Sequence, residues 1–554
     1  MTPSLMTRCR WILPLFLLMS FAVGCGDARM GVDRSAGAKI GGDSGTELAE
    51  RQVLRRGNGA EPQSLDPHKS EGVPESNLQR DLYEGLTIEG PDGDVMPGAA
   101  RSWDISDDGL VYIFHMRENA RWSNGDPVTA HDFEYGLRRS VDPSTLSNYS
   151  IMLRPILNAE AIIAGELPPE SLGVRAIDDL TLEIRLSGPT PYFLGVLNHS
   201  ASYPVHRPTV EKYGDRWARP GRLVSNGAFR LRDWVMQSHI VLERNEYYWD
   251  NENTALDEVW YYPIENQSTE LQRYRAHAID MTSDLPFRQL AWIRSNLPEE
   301  LVISEYLGIY YYGLNVTRAP FKDNPELRRA LNLAIDREIL TSQVTTAGEI
   351  PAYGFVPGTA NYTQHVPEWA GWTQEQRVAE ARRLYEAAGY SHEQPLRLQI
   401  LYNTHENHRT IAVAISSMWK DTLGIDTELI NEEWKVYLET RRTKQNTQVY
   451  RAGWIGDYND AYNFLEIMHS ESGLNDSGWR SERYDELLAL AAQERDMARR
   501  AAYMNEAEQI LLEDMPVIPV YFYVTKRLVK PWVGGYRSNI MDQIYSKDLH
   551  ILKH

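Results

Sequence analysis

Apolar residues recur along this chain with two different spacings. In "LVYIFHMR" (110–117) and "LTLEIRL" (180–186) they alternate with polar ones or bring in β-branched side chains, next to the turn formers "SDDG" and "AIDD", which predicts two strands. In "DNPELRRALNLAID" (323–336) the spacing is helical. An Asp-Asn pair precedes it as a cap and Pro325 stands in the first turn, where its missing N–H costs nothing. Between 396 and 431 the spacing switches twice: "LRLQILYN" reads as a strand, "HRTIAVAISSMWKDTLG" as a helix and "IDTELIN" as a strand. That is a βαβ unit, and it predicts a sheet covered by helices. The aromatic runs "YLGIYYYGLN" (306–315) and "VYFYV" (520–524) also read as strands.

The N-terminus follows a different logic. Arg8 and Arg10 precede "WILPLFLLMSFAV", which is broken by Pro14 and too short for a stable span, so it reads as an export signal. The run ends in "AVGC", with small residues directly before Cys25. This resembles a bacterial lipoprotein signal, although Ala22 stands where leucine is usual. Residues 1–24 are then removed, Cys25 carries lipid and the protein is anchored in the cell envelope, with plain export as the alternative. Several acyl chains hold a protein firmly where one does not. Residues 25–49, rich in Gly, Ala, Ser and Asp, suit a flexible tether. No second apolar segment approaches membrane-spanning length.

Composition narrows the chemistry. The two cysteines are Cys9, in the signal, and Cys25, so the mature chain has neither a disulfide nor a thiol nucleophile. Loss of Arg8 and Arg10 moves the formal charge from −20 to −22, which argues against nucleic acid and anionic lipid as partners and for a monomer. A body of this length calls for more than one lobe. There are 15 Trp and 31 Tyr against 11 Phe, a bias toward aromatics with a polar tip, suited to a cleft for varied organic ligands. Motifs with a mechanism are missing: no GxxxxGK[ST], no GxSxG, no HExxH. His405 and His408 in "HENH" could share a helical face, but without a third ligand they give no metal site. No cofactor is implied. Abundant Asp and Glu carry no geometry by themselves, so an enzyme has no positive support.

"RAGWIGDYND" (451–460) is the unusual stretch, with a cation, a flat aromatic and an anion among glycines. Internal ion pairs with Trp454 in a core would account for it; so would a ligand site. If 451–457 is extended, Arg451 and Asp457 lie about 20 Å apart at roughly 3.3 Å per residue, the scale of a short peptide.

Six segments together decide what the chain looks like: "NGAEPQSLDPHKSEGVPESNLQRDLYEGL" (58–86), "NGDPVTAHDFEYGLRRSVDP" (124–143), "IPAYGF" (350–355), "NEEWKVYLETR" (431–441), "RAGWIGDYND" and "RLVKPWVGGY" (527–536). In that order, over the whole mature body, they closely resemble the oligopeptide-binding proteins of bacterial ATP-driven peptide importers, the solute-binding proteins of family 5, peptide and nickel class. The resemblance implies an α/β fold of the class II (cluster C) periplasmic-binding-protein type, with three lobes of mixed sheets covered by helices and a ligand buried between two of them. On it we draw lobe I as 50–83, 208–308 and 524–554, lobe II as 84–207 and lobe III as 309–523. It implies capture of short peptides and their delivery to permease subunits. A murein-peptide or signalling-peptide binder of the same fold is the alternative, and a secreted hydrolase the most distant one.

The resemblance also implies roles. Asp457 would bind the ligand's α-ammonium, and Gly453, Trp454 and Ile455 would pair with its backbone, as would Glu71, Gly72 and Val73. Arg441, Arg451 and His408 would meet its carboxylate, and Trp434 and Tyr149 would wall side-chain pockets. The chemistry agrees, since a peptide held without regard to sequence must be held by its backbone and charged ends. One departure stands out: Gln343 and Thr345 precede "PAYG" where the family often has lysine, so a cation the resemblance implies for one C-terminal position is missing.

Overall fold

The computed structural model describes residues 46–90, 94–359, 362–445 and 447–554. Cys25, the signal and most of the tether lie outside the described residues.

Three larger sheets organise the body. The first runs Val53–Gly57, Glu258–Tyr262, His239–Arg244, Phe229–Val235, its first pair parallel and the others antiparallel. The second is antiparallel throughout, in the order Ala100–Ile105, Val111–Met116, Thr181–Arg185, Val174–Asp178. Its two central strands are the two that alternation predicted, and they pair directly, Val111 against Arg185 through His115 against Thr181. Alternate residues of Val111–Met116 are buried, as expected of a sheet with one face on a core.

The third sheet has six strands, in the order Ile350–Pro351, Val517–Leu528, Leu301–Leu314, Val449–Ile455, Arg397–Asn403, Asp426–Glu432. Arg397–Asn403 and Asp426–Glu432 are parallel and joined by the helix Glu406–Leu423, the βαβ unit read from the sequence. The helix at 323–336 begins where its cap predicts: Asn324 accepts the Leu327 N–H at 3.2 Å, Pro325 is the first residue, and the helix runs to Leu333.

Two strands, Leu301–Leu314 and Val517–Leu528, are longer than any local signal suggested, and they run through the lobe boundaries drawn at 308 and 523. Their mutual pairing is irregular between Glu305 and Ile309, the kind of interruption that bends and twists a ribbon. The first sheet has its own core around Leu54, Trp217 and Tyr261. Another core lies under one face of the third sheet, around Tyr310, Tyr312 and Trp419. A third runs unbroken from Phe114 and Trp122 of the second-sheet lobe to Trp454 of the third sheet and Tyr458 just beyond its strand. The lobe of the second sheet is therefore packed onto the third sheet beside the strand that carries the "RAGW" stretch.

Candidate functional site

Every residue to which the resemblance gave a peptide-binding role lines one cavity. Its volume is about 360 Å3, within the roughly 300–1,000 Å3 of ligand-holding clefts. Four pieces of chain bring these side chains together.

The first is the strand Val449–Ile455. It pairs along its length with Leu301–Leu314, but with Arg397–Asn403 only at Val449 and Tyr450. From Arg451 onward its second edge has no strand neighbour among the described residues. Which groups point there follows from two bonds. The Gly456 N–H donates to the Leu307 carbonyl at 2.7 Å, so even-numbered residues face the paired strand. The Arg451 carbonyl accepts from the Tyr437 hydroxyl on the other side. Since N–H and C=O of one residue in an antiparallel strand point the same way, those of Gly453 and Ile455 face the open edge. Pairing ends at Gly456, so the extended stretch stops one residue short of Asp457.

Gly453 is also a point of close approach between this strand and its neighbours' side chains. A Cβ there would stand 2.6 Å from the Tyr523 hydroxyl and 3.1 Å from Arg451 Nη2, and these two groups are bonded to each other at 2.5 Å.

The second piece is the helix Trp434–Thr443. Trp434, Leu438 and Arg441 fall at i, i+4 and i+7 on the face that lines the cavity. Trp434 meets the third piece, "EGV": Gly72 caps the helix Val73–Leu82 with φ 108°, and a Cβ there would come within 2.8 Å of the Trp434 ring. A side chain is excluded at Gly72 by conformation and by space. Glu71 is tied down from both sides, accepting from Arg442 Nη2 at 3.1 Å and from Asn148 Nδ2 at 3.4 Å.

The fourth piece comes from the second-sheet lobe. Tyr149 stacks on Trp454 at 6.0 Å and meets the tilted ring of His199 at 4.6 Å, and His199 Nε2 lies 3.4 Å from Asp457 Oδ1. Trp454 is buried in the core that joins the lobes as well as lining the cavity, so the core explanation for it holds alongside the site explanation.

The charges are arranged unequally. Among the described residues no lysine or arginine pairs with Asp457. Burial pushes its carboxyl up from the ordinary value, against the pull of His199 and Asn463, while burial pushes His199 down toward the neutral form. Asn463 holds the carboxylate in place. Its Oδ1 accepts from the Asp457 N–H at 2.9 Å and from Trp454 Nε1 at 3.0 Å, and its Nδ2 lies 3.4 Å from Asp457 Oδ2.

The three groups assigned to a carboxylate differ more than the sequence suggested. Arg441 is ion-paired with buried Asp476. His408 is no cation: burial, reinforced by Arg451 and His405, drives its pKa well below the ordinary value. Arg451 alone combines a fixed charge with no acidic partner among the described residues. Its bonds are to the Tyr523 hydroxyl and to the ring of Tyr310, 4.8 Å beneath the guanidinium. His405 stands just outside the helix that holds His408, the two rings stacked at 4.2 Å. Among the described residues no group of three or more His, Cys, Asp or Glu could hold a metal.

Sequence reasoning missed several lining residues: His199, Tyr523, Asp284 and Lys526. Lys526 had a signal, a lysine two residues past the apolar run "VYFYV"; Asp284, in a loop, had none. What the assembled site offers is a strand edge with free donors and acceptors, an uncompensated buried carboxylate beyond one end and an uncompensated guanidinium at the other.

The family pattern of the bacterial extracellular solute-binding proteins, family 5 Middle, matches residues 94–476. The periplasmic oligopeptide-binding protein OppA of Escherichia coli (strain K12) is 45% identical over 519 residues, 92% of this chain and 94% of that one. The periplasmic murein peptide-binding protein MppA of the same organism is 42% identical over 515 residues, 92% and 95% of the two chains. Among solved structures, Haemophilus influenzae OppA in complex with the peptide RPPGFSPFR superposes with a TM-score of 0.89 at 42% identity, over 92% of this chain and all of that one. A structure of the E. coli murein tripeptide-binding protein gives 0.90 at 42% identity with the same coverage. The unliganded open form of that protein gives only 0.64, at 42% identity over 92% and 99%.

Proposed function

The chain belongs to the bacterial extracellular solute-binding proteins of family 5, and on that premise we propose that it captures short peptides outside the cytoplasm and delivers them to the permease of an ATP-driven importer. Binding proteins are what its relatives are, and nothing in the cavity calls for catalysis. One observation carries the reading: a single cavity joins a free strand edge to an anion with no lysine or arginine partner and a cation with no acidic partner among the described residues. Only ligands with a backbone and two oppositely charged ends use all three.

In this reading Asp457 takes the α-ammonium, Gly453 and Ile455 pair with the peptide backbone by adding it as a strand, and Arg451 takes the carboxylate. Glu71, Gly72 and Val73 form the opposite rail, and Tyr149 and Trp434 wall side-chain pockets. Arg441, held by Asp476, and neutral His408 then contribute hydrogen bonds more than net charge. The better match to one structure of the murein tripeptide-binding protein, at a TM-score of 0.90, than to its unliganded open form, at 0.64, supports an arrangement of the lobes unlike the open one. We take this as the closed state, reached by bending where the two long strands lose register between Glu305 and Ile309. Lipidation at Cys25, a place in the cell envelope and a monomeric state complete the proposal on sequence grounds.

Replacing Gly453 by alanine should separate the rail from the rest of the fold. The added Cβ presses on the Arg451–Tyr523 bond and on the edge a peptide would pair with. We expect a loss of about 1–2 kcal/mol in peptide binding, about the worth of one hydrogen bond, read by calorimetry. An unchanged affinity would mean that the peptide does not run along this edge.

The likeness to a murein peptide binder, at almost the same identity as to OppA, supports a narrower second reading in which one cell-wall peptide is the ligand. Native mass spectrometry of the protein as purified from its own host separates the two. A mixture of short peptides is the expected result; a single defined species would favour the second reading, and a non-peptide ligand would overturn both.

A further inference from the structure

The Arg451 end of the cavity holds a second set of charges to which no role has been given. Asp284 Oδ1 lies 3.2 Å from Lys526 Nζ. Asp284 Oδ2 accepts from Asn407 Nδ2 at 3.1 Å and lies 3.4 Å from His405 Nε2. His405 stacks on His408, whose ring stands 5.6 Å from that of Tyr310, the ring under the Arg451 guanidinium. Behind this cluster, Lys526 Nζ is 3.7 Å from Glu349 Oε1, and the other oxygen of Glu349 accepts from Thr345 at 2.7 Å. Thr345, where a lysine was expected, and Lys526, on a different strand, thus meet at the same carboxylate. Lys526 brings its charge to the carboxylate that Thr345 touches.

That charge is shared between two carboxylates, so the trio of Asp284, Glu349 and Lys526 carries an excess of one negative charge. Exposure decides which group a ligand meets. The Lys526 side chain is 6% exposed and that of Glu349 is fully buried, whereas that of Asp284 is 25% exposed and lines the cavity. Burial would raise the Asp284 carboxyl, but Lys526 and His405 outweigh it and hold it well below its ordinary value; burial keeps His405 on the neutral side. The wall beside Arg451 is therefore a fixed anion.

We propose that Asp284 makes this end of the cleft selective for peptides whose C-terminal residue carries a cationic side chain, lysine or arginine. The inference rests on the peptide reading above. Arg451 would take the terminal carboxylate while Asp284 takes the side-chain cation of the same residue, and an acidic side chain there would face a like charge. Elsewhere in the cavity the acidic residues are committed: Glu71 to Arg442, Asp542 to Arg527, and Asp457 to the ligand's other end.

Calorimetry with Ala-Ala-Lys, Ala-Ala-norleucine and Ala-Ala-Glu on the whole ligand-free protein tests this. Norleucine matches the lysine stem without its charge. Lysine should bind at least about tenfold tighter than norleucine, as close charge pairs across an interface do, and glutamate more weakly than both. In Asp284→Asn the ratio of lysine to norleucine should fall to within about twofold. Should that variant fold poorly with Lys526 left half-paired, the triple variant Asp284→Asn, Glu349→Gln, Lys526→Met removes all three charges and should collapse the ratio equally. Equal affinity for all three peptides in the unaltered protein overturns the proposal and leaves the peptide reading standing. A preference that survives in the variants also overturns it. Failure of any peptide to bind overturns the peptide reading and this inference with it.

Discussion

N-acetylation of a short peptide is expected to weaken its binding to this protein by about 2–5 kcal/mol, which is roughly thirtyfold to several thousandfold in Kd. The size follows from the state of Asp457. Its carboxylate is held by Asn463 and faces His199, and no lysine or arginine among the described residues makes an ion pair with it, Arg80 of the cavity wall acting on it only through space. A buried anion in that state is costly, and an ammonium brought by the ligand removes the cost. An acetyl group supplies neither the charge nor the three N–H donors. The same argument fixes the pH dependence. Burial raises the Asp457 pKa, so affinity for the free peptide should be full at neutral pH and fall as acid protonates the carboxylate. It should fall again on the alkaline side as the ligand's amine, with an ordinary pKa of about 7.7–8.0, loses its proton. Acetylated peptide should lack both limbs. Titrations by calorimetry across this pH range read the whole profile.

Arg451→Met is expected to have an effect of similar size at the other end, a loss of about 2–5 kcal/mol for a peptide with a free carboxylate. C-terminal amidation should weaken binding to the unaltered protein and add little in the variant. Stability provides the second readout. Arg451 is a cation without an acidic partner among the described residues, and its removal leaves only the Tyr523 hydroxyl and the Tyr310 ring without their contact. Replacing such a charge by an apolar side chain of similar length should leave the ligand-free protein about as stable as before or slightly more so. A variant that binds poorly and also melts much earlier would mean that Arg451 serves the fold and not the ligand.

How far the sequence could be read depends on the range of the interaction concerned. The strands at 111–116 and 181–185, the capped helix after Asn324 and the βαβ unit rest on periodicity and caps, which are local, and all were legible. The length of Leu301–Leu314 and Val517–Leu528, and their broken register, were not, because only their mutual pairing defines them. In the site, the side chains came from motifs, but their electrical state did not. Arg441 is paired with Asp476 and Lys526 with Asp284, across 35 and 242 positions of sequence, and spacing does not encode such partners. His408 loses its charge to burial, which only the assembled lobes impose. Trp454 could be read as core or as cavity wall, and it is both, because one side of the strand that carries it packs on the core joining the lobes.

The most direct measurement of the central claim is a calorimetric double cycle in which free and N-acetylated forms of one short peptide are titrated into the unaltered protein and into Asp457→Asn. Acetylation should cost about 2–5 kcal/mol in the former and less than about 1 kcal/mol in the latter, because the group that read the amine is gone. Equal binding of the two peptides to the unaltered protein, or the same acetylation cost in both proteins, would contradict capture of a peptide by its N-terminus at Asp457.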